Sequence, residues 1–435
     1  MGEIVAMPIS VCITIILYIV ISILIIFRLY KSEKLSSATI FTVMQLITFL
    51  GLVRLADYSY KADSVLLFIY LIALIMFYFG HEIYRRYRVL PTTCDISRSG
   101  PNQFQIERML ILVFIFTVVL VLFFAKSGAN VFLQALRGFI SGSQNNLTEQ
   151  RLAFYTQTGV GYIYQIRVYL YPALLIMLAN SGNGWLRRLS SILFPLMFLF
   201  ILATGQRAGF IYCMVAWVIS LLYFAEFGYL KREKVYIIVT VLIVFSLSIF
   251  IVLTIANGRN QVSGGIFQAL LDRLLNDNQN SALMAFRYFI YDSPTQWGSD
   301  WINALADILP GKNDYIAVAS RVFQLVYGSM RGTAPECIWG SVYYNWNWFG
   351  VFIVPFSLGV IHSWLYRRFL SYPISKTRII LYAFLFLNLG NWMVGGLISV
   401  FNNGVVALTL LGFVLHIDNS SSKRFSQTKK LMISS

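Results

Sequence analysis

About eleven apolar runs, most of them bounded by charged residues, constrain this chain more than any other feature of its sequence. They lie near 4 to 27, 38 to 53, 64 to 80, 107 to 125, 161 to 180, 189 to 204, 208 to 225, 235 to 256, 338 to 364, 379 to 398 and 403 to 417. A bilayer core about 30 Å thick is crossed by about 20 residues of helix. Lipid offers no partner to an unpaired backbone group, so a spanning segment must satisfy itself. The expected fold is an all-α polytopic membrane protein of about eleven transmembrane helices. At 58% hydrophobic and 12% charged residues, with mean hydropathy +0.70, the chain lies outside the range of soluble globular domains. Only Met1, Gly2 and Glu3 precede the first run, so the basic start of a cleavable signal is missing and the run is expected to remain as a helix.

The formal charge of +16 is spread over many short connections, which fits topology better than nucleic acid. Alternate connections gather 21 of the 34 Lys and Arg with seven acids, a net +14, on one face. The other face carries 12 basic and 11 acidic residues. The positive-inside rule then puts the N-terminus outside and the C-terminus in the cytoplasm.

This divides the chain into eight N-terminal spans over 1–256 with an outer loop at 126–160, a long outer loop at 257–337, three spans over 338–417, and a basic tail at 418–435. In the long loop, Phe267, Leu270, Leu271, Leu274 and Leu275 recur at helical spacing, as in a helix lying on the membrane surface or on the loop's own core. No internal repeat is apparent. Ser141 to Gln150 reads as a flexible tip, and its Asn146-Leu147-Thr148 matches a glycosylation acceptor.

The chain has no Walker A sequence, no GxGxxG and no DxD pair, so neither nucleotide hydrolysis nor a metal-bound nucleotide sugar is supported. No metal or other cofactor is expected. Cys12, Cys94, Cys213 and Cys337 form no CxxC pair. His81, His362 and His416 fall at cytoplasmic span ends, which leaves carboxylates as the bases of the outer face.

That face is rich in arginine: Arg137, Arg151, Arg207, Arg259, Arg273, Arg287, Arg321 and Arg331, with Arg167 about six residues inside a span. A guanidinium fork matches phosphate oxygens in pairs, and at an interface such forks suit a lipid-linked diphosphate or a lipid headgroup. Arg207 lies in Ala203-Thr204-Gly205-Gln206-Arg207-Ala208-Gly209, a turn of small residues that lets backbone approach a ligand. Arg167 is a functional candidate because charge inside a membrane is costly, with snorkelling as the alternative. Glu336 and Asp292, each within two residues of a proline and near Arg331 and Arg287, are the candidate bases, with structural ion pairs as the alternative. Trp297, Trp301, Tyr315, Trp339, Tyr343, Tyr344, Trp346 and Trp348 suit sugar rings as well as an interfacial aromatic belt.

The chain resembles the bacterial O-antigen, or oligosaccharide repeat-unit, polymerases of the Wzy type, in about eleven spans and a long outer loop before the last three. Thr204-Gly205-Gln206-Arg207-Ala208 resembles the family's Gly-x-Arg turn, and Gln165 to Pro172 its arginine-bearing helix start. Arg287-Tyr288-Phe289, Leu309-Pro310-Gly311, Gly332 to Pro335, Gly340 to Tyr344 and Phe349-Gly350 resemble its long-loop pattern. Some members carry an arginine followed after ten residues by glycine in two loops. Arg287 to Gly298 and Arg321 to Gly332 fit, but both are in one loop, whereas Arg137 and Arg151 are followed by Thr148 and Tyr162. Ser341 stands where relatives often have an acid.

The resemblance implies a metal-independent glycosyltransferase of the bacterial inner membrane. It would join undecaprenyl-diphosphate-linked oligosaccharides at the periplasmic face, alongside a chain-length regulator. By the same resemblance Arg207, Arg167 and Arg287, backed by Arg331, Arg151 and Arg259, hold diphosphates, and Glu336 or Asp292 deprotonates the acceptor. An O-antigen ligase shares the layout but is expected to use a periplasmic histidine. A flippase or other transporter is expected to line its spans with polar residues.

Overall fold

A computed structural model describes residues 8–87, 100–127, 159–204, 207–256, 275–306, 315–328 and 333–417, together with Ile96, Gln268, Asp272 and Ile308. In chain order the helices are α1 (Ile9–Glu33), α2 (Ser37–Leu55), α3 (Lys61–Tyr87), α4 (Gln103–Ser127), α5 (Val160–Gln165), α6 (Tyr171–Ala179), α7 (Gly184–Leu202), α8 (Arg207–Glu226) and α9 (Arg232–Ala256). They continue as α10 (Asp277–Ala285), α11 (Ser299–Ala306), α12 (Val318–Tyr327), α13 (Ile338–Leu370), α14 (Lys376–Gly390), α15 (Ile398–Asn402) and α16 (Val405–Val414). Five-residue π-helical turns, Ile166–Leu170 and Phe286–Ile290, link α5 to α6 and follow α10. Among the described residues extended pairing is limited to two isolated bridges. Among the described residues eight helices, counting Val160–Ala179 as one, are long and apolar enough to cross a membrane. The chain is an all-α multi-pass membrane protein.

Local chemistry sets the boundaries. Pro8 precedes α1, and Ser36 caps α2 by accepting from the Thr39 amide. Asn183 does the same for α7 through the Trp185 amide. Gly159 and Gly404 enter α5 and α16 at φ 82 and 78.

The chain packs as two compact units. The first comprises Met1–Val89, Gly264–Tyr366 and Leu389–Asn403. Here Tyr18 of α1 stacks on Phe49 of α2 at 3.7 Å. Helices α3 and α13 approach with almost no space between their backbones. A Cβ on Gly80 would lie 2.1 Å from the Phe356 carbonyl oxygen, and one on Gly359 2.0 Å from that of Phe77. Small residues permit this contact, whose packing and dispersion hold helices together where lipid removes the hydrophobic drive. Buried at the same level are His81 and His362, and His81 pairs with Glu33 of α1 at 3.1 Å.

The second unit comprises Leu90–Ser263, Arg367–Asn388 and Gly404–Ser435. Its π-turn packs on α7, α8 and α16. Tyr223 of α8 meets Phe369 and Phe386 at 5.5 and 6.1 Å. Arg378, 1% exposed, donates to the carbonyls of Phe369 and Arg368 at the end of α13. The last carbonyls of a helix lie beyond its regular bonding, and a cation is favoured at that end of the helix dipole.

The expected span 379 to 398 is corrected. Helix α14 stops at Gly390, and 391–397 run as irregular chain beside 336–338. The Gly395 amide donates to the Glu336 carbonyl at 2.7 Å, and the Ile338 amide to the Met393 carbonyl at 2.9 Å. Gly395 at φ 70 makes the turn, and pairing with 336–338 replaces the lost helical bonds. The surface helix expected at 267–275, the 126–160 loop with Asn146, Leu309-Pro310-Gly311 and the 418–435 tail lie wholly or largely outside the described residues.

Candidate functional site

The first unit gathers a buried acidic cluster where helix geometry fails. Asn347 interrupts α13 at φ 51 and ψ −147, and its side chain accepts from the Trp348 amide at 2.7 Å. The Tyr344 carbonyl, which Trp348 would otherwise bond, is thereby released and accepts from the Gln296 amide at 3.1 Å. The Asn345 carbonyl accepts from the Gly298 amide at 3.3 Å. Gly298, at φ 81, then turns the chain into α11, where a Cβ would strike the Trp346 ring at 2.6 Å.

That turn delivers Asp300, 8% exposed, to the first turn of α11. Tyr315 donates to Asp300 Oδ1, and Asn345 Nδ2 to Asp300 Oδ2 at 3.3 Å. Asn345 Nδ2 also bonds the Ser341 carbonyl at 3.0 Å, while its Oδ1 accepts from the Trp301 amide at 3.3 Å. Trp301 Nε1 reaches Ser341 Oγ at 3.0 Å. A Cβ on Gly396 would lie 2.5 Å from Trp301 Nε1 and 2.8 Å from Ser341 Oγ, so the irregular 391–397 segment closes over this pair only with glycine there.

Glu336, 7% exposed, completes the cluster. Burial pushes its carboxyl up to about 7, and the charge of Asp300 adds to the rise, against hydrogen bonds from backbone and Ser341 that pull it down. Burial and the Asp300 carboxylate likewise raise the Tyr315 hydroxyl. A carboxyl poised near neutrality takes and returns a proton readily. The sequence singled out Glu336. It missed Asp300, whose signal was the Gly298-Ser299-Asp300 helix start. Ser341, standing where an acid was expected, supplies a hydroxyl that accepts from Trp301 Nε1, and Asp300 brings a second buried carboxylate from α11. Asp292 is exposed and takes no part in these bonds.

Arg287 occupies the second position of its π-turn, which packs on α3. Its Nε donates to Asp63 Oδ1 at 2.6 Å and its Nη2 to Asp63 Oδ2, while the guanidinium lies 4.5 Å from the Tyr60 ring. The hydrogen bond with Asp63 is the main reason its pKa is raised. The side chains are 10% and 0% exposed. The fork expected to face a diphosphate is thus closed on a carboxylate, and Arg287 ties the long loop to α3. The spacing from Arg287 to Gly298 joins this tether to the turn that delivers Asp300.

In the second unit Arg167 also occupies the second position of a π-turn and is 1% exposed. Its Nη1 donates to the carbonyls of Phe200 and Ile201 at 3.2 and 3.1 Å and to Thr204 Oγ1 at 2.9 Å. Of the two readings offered by the sequence, snorkelling does not fit this burial: Arg167 caps the C-terminal end of α7, and its geometry is that of a brace. The brace ends three residues before Arg207, which opens α8. Sequence reasoning chose both residues, and the fold brings Arg167 to the turn that carries Arg207.

The Arg207 side chain, Arg151, Arg259, Arg331 and the Gly332 that closes the second arginine-to-glycine spacing lie outside the described residues. Arg321 is exposed on α12. Among the described residues no group of three His, Cys, Asp or Glu is arranged to hold a metal ion. No family model, no curated protein and no solved structure matches this chain.

Proposed function

We propose that this protein is an oligosaccharide repeat-unit polymerase of the O-antigen type, a glycosyltransferase that joins undecaprenyl-diphosphate-linked units at the outer face of the bacterial inner membrane. The observation that carries the reading is the pair of buried carboxyls Glu336 and Asp300, the first pushed up to about 7, with Tyr315 and Tyr344 near both. In the proposed step the acceptor sugar's hydroxyl oxygen attacks the anomeric carbon of the donor. Its proton passes to Glu336, and the bond from that carbon to the diphosphate oxygen breaks, leaving the electron pair on the diphosphate. The diphosphate is already a good leaving group, so no nucleotide is consumed. Arg207, on the turn braced by Arg167, is assigned to the charge that develops there, with Arg151, Arg259 and Arg331 as further contacts. Arg167 and Arg287 are assigned to positioning.

Arg207→Ala is expected to shorten or abolish the length ladder of cell-surface polysaccharide at normal protein level, and Arg207→Lys to restore it only in part, because lysine keeps the charge and loses the fork. A full ladder from the alanine variant removes Arg207 from the reaction.

One observation favours a transporter instead: Glu33, His81 and His362 are titratable groups buried at helix positions in the first unit. Deletion of the gene separates the readings. A cell lacking the polymerase still displays a single repeat unit on its lipid anchor, whereas one lacking a flippase or ligase displays none.

A further inference from the structure

The turn that delivers Asp300 holds a bulky residue in a conformation suited to glycine. Trp297 has φ 51, in the left-handed region, and is 70% exposed. The break at Asn347 imposes this conformation. The carbonyls of Tyr344 and Asn345 accept from the amides of Gln296 and Gly298, and the residue between must curl for both amides to reach. Glycine or asparagine takes up such a conformation readily, whereas a β-carbon bearing an indole is crowded there. A ring this exposed adds little packing to offset the strain. Backbone strain of this kind gathers at ligand sites.

The surroundings of the ring separate two uses of an exposed indole. An aromatic anchor in a bilayer sits among other apolar side chains. Here the other exposed side chains from Asp292 to Asp300 are Asp292, Pro294 and Ser299, and Trp297 is the one exposed aromatic between Tyr291 and Trp301. The turn beneath it is firmly seated: the Trp346 ring would lie 2.6 Å from a Cβ on Gly298, and Trp301 meets Trp346 edge-on at 6.2 Å. A flat apolar face held in place within a polar rim matches the face of a pyranose ring, whose hydroxyls project from its edge.

We propose that Trp297 is a sugar-stacking residue, a platform for one glycosyl ring of the oligosaccharide, on the turn three residues before Asp300. The inference deepens the polymerase reading and rests on it for the identity of the oligosaccharide.

Trp297→Gly keeps the turn and removes the indole, and Trp297→Asn repeats the test if the glycine variant does not accumulate. In the full chain in lipid nanodiscs the variant is expected to melt between the wild-type temperature and about 4 °C above it, because the left-handed strain is relieved. Its affinity for short oligosaccharides released from the host's own surface polysaccharide, measured by calorimetry, is expected to fall about tenfold or more, and its polymer ladder to shorten. Trp297→Tyr keeps both strain and ring and is expected to bind as the wild type does. A variant that melts below the wild type overturns the inference, since the indole would then pack the fold or anchor it in the bilayer. Unchanged affinity in the glycine or asparagine variant overturns it too, as does a wild type that binds none of these sugars. Deletion of the gene is scored separately. An intact ladder in the deleted strain overturns the polymerase reading, while the melting and binding comparisons still decide the role of Trp297.

Discussion

Replacing Arg287 by alanine is expected to destabilise the first unit by about 3–5 kcal/mol, because it strands a buried carboxylate. Asp63 has a side chain with 0% exposure, and both its oxygens bond Arg287. The Asp57 amide also donates to Asp63 at 2.8 Å, so the pair fixes the turn between α2 and α3 as well as the long loop. Most of the cost comes from the uncompensated charge. Arg287→Met with Asp63→Leu should therefore recover much of the stability that either change alone destroys, and Arg287→Lys should recover only part, since an ammonium on a flexible stem lacks the planar fork that matches both oxygens. Thermal unfolding in detergent of the singles and the double checks this. A loss under about 1 kcal/mol for the alanine variant would place the pair among ordinary surface ion pairs. The double variant also separates the tether from any ligand role: if polymer length returns with stability, Arg287 holds the loop and nothing more.

Glu336→Gln is expected to be both inactive and more stable than the wild type above neutral pH. Loss of a general base lowers a rate by about 10²–10⁴-fold, which would leave single repeat units in place of a ladder. Stability runs the other way. Burial raises the folded carboxyl to about 7 from an ordinary 4.5. The unfolded chain then gives up its proton first as pH rises. The stabilising contribution is complete below about 4.5 and is lost as pH climbs through 7. At pH 8 the penalty on the wild type is about 3 kcal/mol, and glutamine, which stays neutral, avoids it. Melting curves from pH 5 to 8 should thus fall for the wild type and stay flatter for the variant. Matching slopes would mean that Glu336 is not held in its neutral form.

Much of the architecture was legible because a bilayer forces spanning backbone to close its own hydrogen bonds, and long apolar runs are the result. Eight of the eleven expected spans, 4 to 27 through 208 to 225 and 338 to 364, fall on helices long and apolar enough to cross, and 235 to 256 falls within α9. The run 379 to 398 misled because hydropathy averages over Gly395 and Gly396, and the backbone partners that permit the break come from 336–338. The arginines were legible as unusual but their tasks were not. Arg167 and Arg287 spend their hydrogen bonds on groups distant in sequence, the end of α7 and Asp63, and no local pattern names those partners. Asp300 went unremarked for the same reason, since its neighbours arrive through a kink at Asn347 that the sequence marks only with an asparagine.

The two π-turns have a consequence for how this protein can be altered. Ile166-Arg167-Val168-Tyr169-Leu170-Tyr171 and Phe286-Arg287-Tyr288-Phe289-Ile290-Tyr291 follow one pattern, an arginine, an aromatic two residues on, and a tyrosine whose amide closes the wide turn. A π-turn is an α-helix with one residue to spare. Excising a single residue there lets the helix relax into its ordinary winding without breaking it, while everything beyond swings by about 100°. Each unit therefore contains a position where a one-residue deletion acts as a rotation, redirecting an arginine from its partner while sparing the helix that bears it.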